Sequence, residues 1–231
     1  MNLLKKKIID LTQPISEGMP VWPGDPHINI ENVSDFQNDG YYMNNISMSE
    51  HTGTHIGAPL HFYPFGSDVT QIPLQNLIMK AIKINLTKHT SKNPDYLLTI
   101  NDIIKWEGEY TRITSQYLVL IETGWSQYWE KPKVYFGFKH EEMHFPGISL
   151  DAIVFLAEQR KIKIIGIDSA GIDGGMSLDF IVNKYCSDNN IYHLENLTNL
   201  SHVNETGALI FIGALPIRGG SGSPCRVLAL Q

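Results

Sequence analysis

Three runs in this chain are almost uninterrupted in apolar and β-branched residues: Tyr117-Leu118-Val119-Leu120-Ile121, Ile162-Lys163-Ile164-Ile165-Gly166-Ile167 and Leu209-Ile210-Phe211-Ile212. A strand with one wet face alternates apolar and polar residues, whereas a strand covered on both faces need not, so these runs predict buried strands with layers on either side. Ile82-Lys83-Ile84-Asn85-Leu86 alternates and predicts a further strand, and Arg226-Val227-Leu228-Ala229-Leu230 predicts a last one. Helix starts stand between them. Thr99-Ile100-Asn101-Asp102 is a capping pattern ahead of Ile103 and Ile104, Ser149 precedes the apolar stretch 150–157, and Ser177 precedes Leu178-Asp179-Phe180-Ile181-Val182. Strands interleaved with helices predict a mixed α/β architecture.

The chain has 231 residues, of which 42% are hydrophobic, enough for one sizeable core. No repeat, low-complexity tract or linker divides it, so one domain over residues 1–231 is expected. The formal charge of -6, with no basic run longer than Lys5-Lys6-Lys7, lacks the electrostatic footprint of a nucleic-acid or membrane-surface protein. No segment approaches the roughly 18 apolar residues of a membrane span. The basic start, 1–7, is followed only by Ile8-Ile9 before Asp10, too little for a signal peptide. Cys186 and Cys225 are too far apart for a Cys-x-x-Cys motif and are expected to be reduced thiols. A cytoplasmic protein acting on a small molecule is the expectation.

Chemistry concentrates in Ser49-Glu50-His51-Thr52-Gly53-Thr54-His55-Ile56-Gly57-Ala58-Pro59-Leu60-His61, which holds three of the nine histidines. Neutral imidazole is the commonest ligand for a borderline transition ion, so His51, His55 and His61 could supply most of one coordination sphere. The alternative is three solvated or hydrogen-bonded histidines. The four-residue spacing would also suit a helix, but Gly53 between two threonines and Pro59 favour a loop following a strand. Downstream, Ile191-Tyr192-His193-Leu194-Glu195 alternates, which would turn His193 and Glu195 to one face and Tyr192 and Leu194 to the other. His193 reads either as a hydrogen-bonded strand histidine or as an acid/base or auxiliary ligand. Trp22, in the proline- and glycine-stiffened 19–25 segment, reads as a wall for a flat ligand or as core packing. Gly219-Gly220-Ser221-Gly222-Ser223 fits neither a nucleophile elbow nor a phosphate loop and is expected to be a turn before the last strand.

The histidine segment resembles the H-x-G-T-H-x-D-x-P-x-H signature of the cyclase family. Further matches run along the chain, at 10–15, 20–25, His144-Phe145-Pro146-Gly147-Ile148-Ser149, Gly166-Ile167-Asp168, Asp173, Glu195-Asn196-Leu197, Ala214-Leu215-Pro216 and Gly222-Ser223-Pro224. The resemblance implies a swivelling β/β/α domain, a mixed sheet with flanking helices, assembled as a homodimer or homotetramer. It also implies that Glu195 joins His51, His55 and His61 as a metal ligand and that Trp22 and His144 stand near the substrate; three imidazoles and a carboxylate suit zinc before manganese. The implied activity is that of a metal-dependent hydrolase or cyclase of a small carbonyl compound: an N-formyl amide, lactam or lactone. Two positions depart from the family: its signature aspartate is Gly57 here, and its acid/base histidine falls on Asn183. Glycine offers no ligand oxygen, so one ion at low occupancy is expected, with Gly57→Asp raising affinity. Asparagine orients a substrate but does not exchange protons near neutral pH, so His193 and His61 are expected to carry them and arylformamidase activity to be weak. The alternative is a metal-poor member that binds a ligand or acts as a biosynthetic cyclase.

Overall fold

All of the apolar runs enter one mixed sheet. The computed structural model describes residues 6–231, so most of the basic N-terminal segment lies outside the described residues. The elements, in order, are β1 (Ile8–Asp10), β2 (Asn29–Ser34), β3 (Met43–Ser47), β4 (His55–Gly57), β5 (Ile78–Asn85), α1 (Thr87–Thr90), β6 (Leu97–Leu98), α2 (Ile100–Glu109), β7 (Tyr117–Glu122), α3 (Pro132–Tyr135), β8 (Gly147–Ile148), α4 (Leu150–Arg160), β9 (Ile164–Ile167), α5 (Ile181–Asp188), β10 (Tyr192–Glu195), β11 (Thr206–Ala214) and β12 (Gly222–Leu230). The eight-stranded sheet runs β1-β12-β11-β5-β7-β9-β10-β4, and β4 pairs again with β12, so the sheet curls back on itself. Its β5, β7, β9 and β10 are parallel neighbours. The connections between them carry α2, α4 and α5.

Burial on both faces explains the uninterrupted runs. Leu118 and Leu120 of β7 pack with Ile56, Ile164, Leu194, Ile210 and Val227 within the curled sheet. Val119 and Ile121 of the same strand pack outward against Ile103, Trp106, Ile153, Leu156 and Cys186 of the helices. Each such side chain, fully buried, stabilises by about 1.5–3 kcal/mol. β5 departs from its alternation at Lys83, which is buried with Nζ 2.8 Å from Glu122 Oε2 and donates to the Leu200 carbonyl at 3.1 Å. Both cysteines are free and buried.

Two helix starts are capped as the sequence predicts. Thr99 and Asp102 form a reciprocal capping box on α2, and the Ser149 hydroxyl accepts from the Ala152 N–H on α4. The third differs. Ser177 does not cap a helix; α5 begins at Ile181, after Phe180 in the left-handed region at φ 52°. Its cap is the Asp173 carboxylate, which accepts from the N–H groups of Val182 and Asn183, each at 2.9 Å. No helix among the described residues is long and apolar enough to cross a membrane.

Candidate metal centre

β4 is the middle strand of the site. In register, Gly57 stands opposite His193 of β10 on one side and Gly222 of β12 on the other, while His55 stands opposite Glu195 and Pro224. Side chains two apart on a strand share a face, so His193 and Glu195 lie together, as their alternation predicts. Two glycines make the floor beneath the imidazoles. A Cβ on Gly57 would fall on the His193 ring, against Nε2 and Cε1, and a Cβ on Gly222 would meet His51 at Nε2 (2.7 Å) and Nδ1 (2.9 Å). Neither glycine has positive φ, so space and not backbone conformation requires them. The expectation that Gly57→Asp strengthens a metal site therefore meets an obstacle: the room that a carboxylate would need is filled by His193.

The donor atoms converge on Glu195. His55 Nδ1 donates to the Gly53 carbonyl at 2.9 Å, so that in the neutral imidazole Nε2 is the atom that carries the lone pair. That Nε2 is buried without a hydrogen bond, 3.3 Å from Glu195 Oε2. His193 Nε2 lies 3.9 Å from Glu195 Oε1, which also accepts from the Ile172 N–H at 2.8 Å. Among the described residues, His55, His193 and Glu195 form the set of three whose ligand atoms all lie within 4.8 Å of one another, and all three are buried. A lone pair facing a carboxylate oxygen away from water is repulsive unless a cation stands between them. Two imidazoles and a carboxylate fit a divalent ion such as zinc and leave a coordination position open.

Protonation favours the same arrangement. Burial alone would raise the Glu195 carboxyl, but the His193 and His55 imidazoles and the Ile172 N–H outweigh it and hold the pKa down at about 2. Burial lowers His193 to about 4 against the pull of Glu195. Near neutral pH His193 is thus neutral and Glu195 ionised, the forms that bind metal.

His51 and His61 stand beside this set. Their rings stack at 3.8 Å and 22°. The Ser221 hydroxyl and N–H both donate to Glu50 Oε2 at 2.8 Å. With that hydroxyl proton committed, the 3.0 Å contact between His51 Nε2 and Ser221 Oγ has His51 as the donor. Burial, then the His55, His61 and His193 imidazoles, pushes the His51 pKa far down. His61 is exposed at the rim, and burial of part of its ring lowers its pKa. The four expected ligands, His51, His55, His61 and Glu195, therefore line one cavity, but the converging set contains His193 in place of His51 and His61.

The cavity measures about 470 Å³. Trp22, Phe62, Phe136 and Phe180 form its aromatic wall, with the Trp22 ring edge-on to Phe136 at 6.0 Å and tilted against Phe180 at 5.7 Å. Asn183 lines it too, its Nδ2 donating to Asp173 Oδ2 at 2.9 Å while Oδ1 is buried without a partner. Neither His193 nor His144 is among the lining residues. His193 is buried at 2% exposure, as His55 is. His144 is instead held by Asp95, 2.9 Å from both carboxylate oxygens. Glu50, Ser221 and Phe180 also line the cavity, with no role legible in the sequence. The Glu50–Ser221 contact spans 171 positions and leaves no local signal.

A Cyclase family model matches residues 9–174. The chain is 30% identical to an isatin hydrolase of Roseibium aggregatum, over 97% of this chain and 91% of that relative. It is 27% identical to a kynurenine formamidase of Bacillus mycoides, over 95% of each. It superposes on isatin hydrolase A from Labrenzia aggregata, bound to benzyl benzoate, with a TM-score of 0.91 and 33% identity over 97% of this chain and 93% of that one. Two further solved structures, with TM-scores of 0.74 and 0.73, are described as a potential and a predicted metal-dependent hydrolase. By sequence and by fold, this chain belongs to the cyclase family.

Proposed function

We propose that this protein is a metal-dependent hydrolase that breaks the C–N or C–O bond of a small aromatic carbonyl compound, an N-formyl amide, lactam or lactone, with one divalent ion, zinc before manganese. The observation that carries this reading is the buried His55 Nε2 facing the Glu195 carboxylate at 3.3 Å without a hydrogen bond, at an aromatic-walled cavity. The hydrolase names of the relatives support it. A divalent ion in such a site polarises a carbonyl and brings the pKa of water toward about 7.

The chain's own residues supply the rest. Trp22, Phe62, Phe136 and Phe180 hold a flat ring and exclude water. The Asn183 Oδ1 accepts a hydrogen bond from a substrate N–H. Hydrolysis places the oxygen of water on the carbonyl carbon and returns a proton to the leaving nitrogen or oxygen. His61 touches both solvent and the cavity, so that proton is assigned to it, while Glu50 and Ser221 fix the His51 ring against which it stacks. The same reading includes a homo-oligomer, with a dimer first.

Elemental analysis of the purified protein, with hydrolysis assays on aromatic N-formyl amides, lactams and lactones, tests this reading. We expect one zinc or manganese per chain, loss of activity on chelation and recovery on adding zinc. Metal-free protein whose hydrolysis ignores both chelator and zinc would sink it.

A further inference from the structure

Gly57 and His193 are a cross-strand pair, and the imidazole of one lies where any side chain on the other would stand. The Gly57 backbone would accept an L-residue, since its φ is not positive, so only the ring forbids one. The same ring nitrogen, Nε2, faces the Glu195 carboxylate. Two donors held on one ion at about 2.0–2.1 Å stand about 3.3 Å apart at a tetrahedral angle. His55 Nε2 and Glu195 Oε2 are 3.3 Å apart, and His193 Nε2 and Glu195 Oε1 are 3.9 Å apart. The second separation is too long for a hydrogen bond and short enough for both atoms to bind one cation.

Resting on the metal-dependent reading above, we propose that His193 is a ligand of the ion, completing a set with His55 and Glu195, and that position 57 is glycine to admit its ring. The space in front of β4 is thereby given to a neutral imidazole from β10. The set then carries one carboxylate and two neutral donors, which suits a single divalent ion. His51, whose Nε2 is engaged by Ser221, falls outside the set.

The test is metal affinity, read by titrating metal-free full-length protein with Zn²⁺ calorimetrically and with Co²⁺ by its visible absorption. The parent should bind one ion. His193→Ala and the bulkier His193→Gln should each weaken binding by more than the roughly 10–100-fold typical of losing an outer-shell partner. Thermal melts of the metal-free proteins establish that both variants are folded. Gly57→Ala should weaken binding in the parent, because its methyl group evicts the ring, and should have no further effect when combined with His193→Ala. Gly57→Asp combined with His193→Ala should bind more tightly than His193→Ala alone, since the carboxylate gains both room and a role. A parent that binds no ion would overturn the metal-dependent reading itself. A parent that binds one ion, with His193→Ala unchanged in affinity and Co²⁺ spectrum, would overturn only the assignment of His193. That assignment falls equally if Gly57→Ala weakens binding to the same extent with and without the ring.

Discussion

Asn183 shows how one residue can be pinned on one side and left open on the other. Its backbone N–H and its Nδ2 both donate to Asp173 Oδ2, so the amide cannot turn, and Oδ1 stays buried with no donor. An unmet buried acceptor costs about 1–3 kcal/mol, much of which a ligand N–H at that oxygen would return. Asparagine has no proton to give at neutral pH, so its contribution is binding and orientation. Asn183→Leu should therefore raise KM about tenfold for an amide or lactam with a free N–H, the equivalent of about 1.4 kcal/mol, and change it little for the matched lactone. Steady-state kinetics on the matched pair decide the matter. An equal loss on both substrates would mean that the substitution damages the wall and not a hydrogen bond. The sequence identifies Asn183 as a departure from the family, but its orientation depends on a carboxylate ten residues earlier, which spacing alone does not reveal.

At the scale of elements, what the sequence discloses is what local physics decides. The runs at 117–121, 162–167 and 209–212 fall in β7, β9 and β11, because covering both faces removes the polar positions from a strand. The caps at Thr99 and Ser149 are equally local. The start of α5 is not. Its capping carboxylate comes from Asp173, eight residues ahead of Ile181, so Ser177 is a decoy that spends its hydroxyl on Asp173 itself. Lys83 looks like a solvent-facing position until Glu122 of the neighbouring strand takes its charge. The pairing of β4 with β10 is likewise long-range, and so Gly57 reads as a missing ligand in the sequence and as room for an imidazole in the fold. The capping role can be tested. Asp173→Ala removes the acceptor of two helix N–H groups, the Asn183 amide and the Ser177 hydroxyl, and should cost about 2 kcal/mol of stability. Urea unfolding measures it. A midpoint equal to that of the parent would show that water replaces the carboxylate at no cost and that α5 needs no such cap.

At the scale of the whole molecule, apolar side chains stay uncovered on the curled sheet, at Ile8, Ile78 and Phe211, and also on the small hairpin beside it. β2 and β3 form a separate two-stranded sheet, with Val33, Tyr41, Tyr42, Met43 and Ile46 exposed and Phe36 72% exposed. Phe36 and Tyr42 stack at 6.1 Å, so these two side chains gather and do not stand singly. Exposed apolar patches mark contact surfaces, and this aromatic pair is the nucleus of one. The hairpin is also tied to the cavity, because Ile30 of β2 and Met48 just past β3 pack, with Trp22, against the aromatic cluster of Trp125, Tyr135, Phe136 and Phe145. A second copy covering the hairpin would brace the cavity wall as well. A symmetric dimer is the commonest closed assembly, and a standard interface covers about 800 Å² on each partner. Sedimentation equilibrium at micromolar concentration should thus give at least twice the 26.1 kDa of one chain. Placing a charge in the patch, with Tyr42→Glu or Ile46→Glu, should shift the population to the single-chain mass and raise KM through the loosened Trp22 wall. A parent that sediments at 26.1 kDa throughout the micromolar range would remove the assembly. Charged variants that remain dimeric would move the interface away from the β2–β3 hairpin.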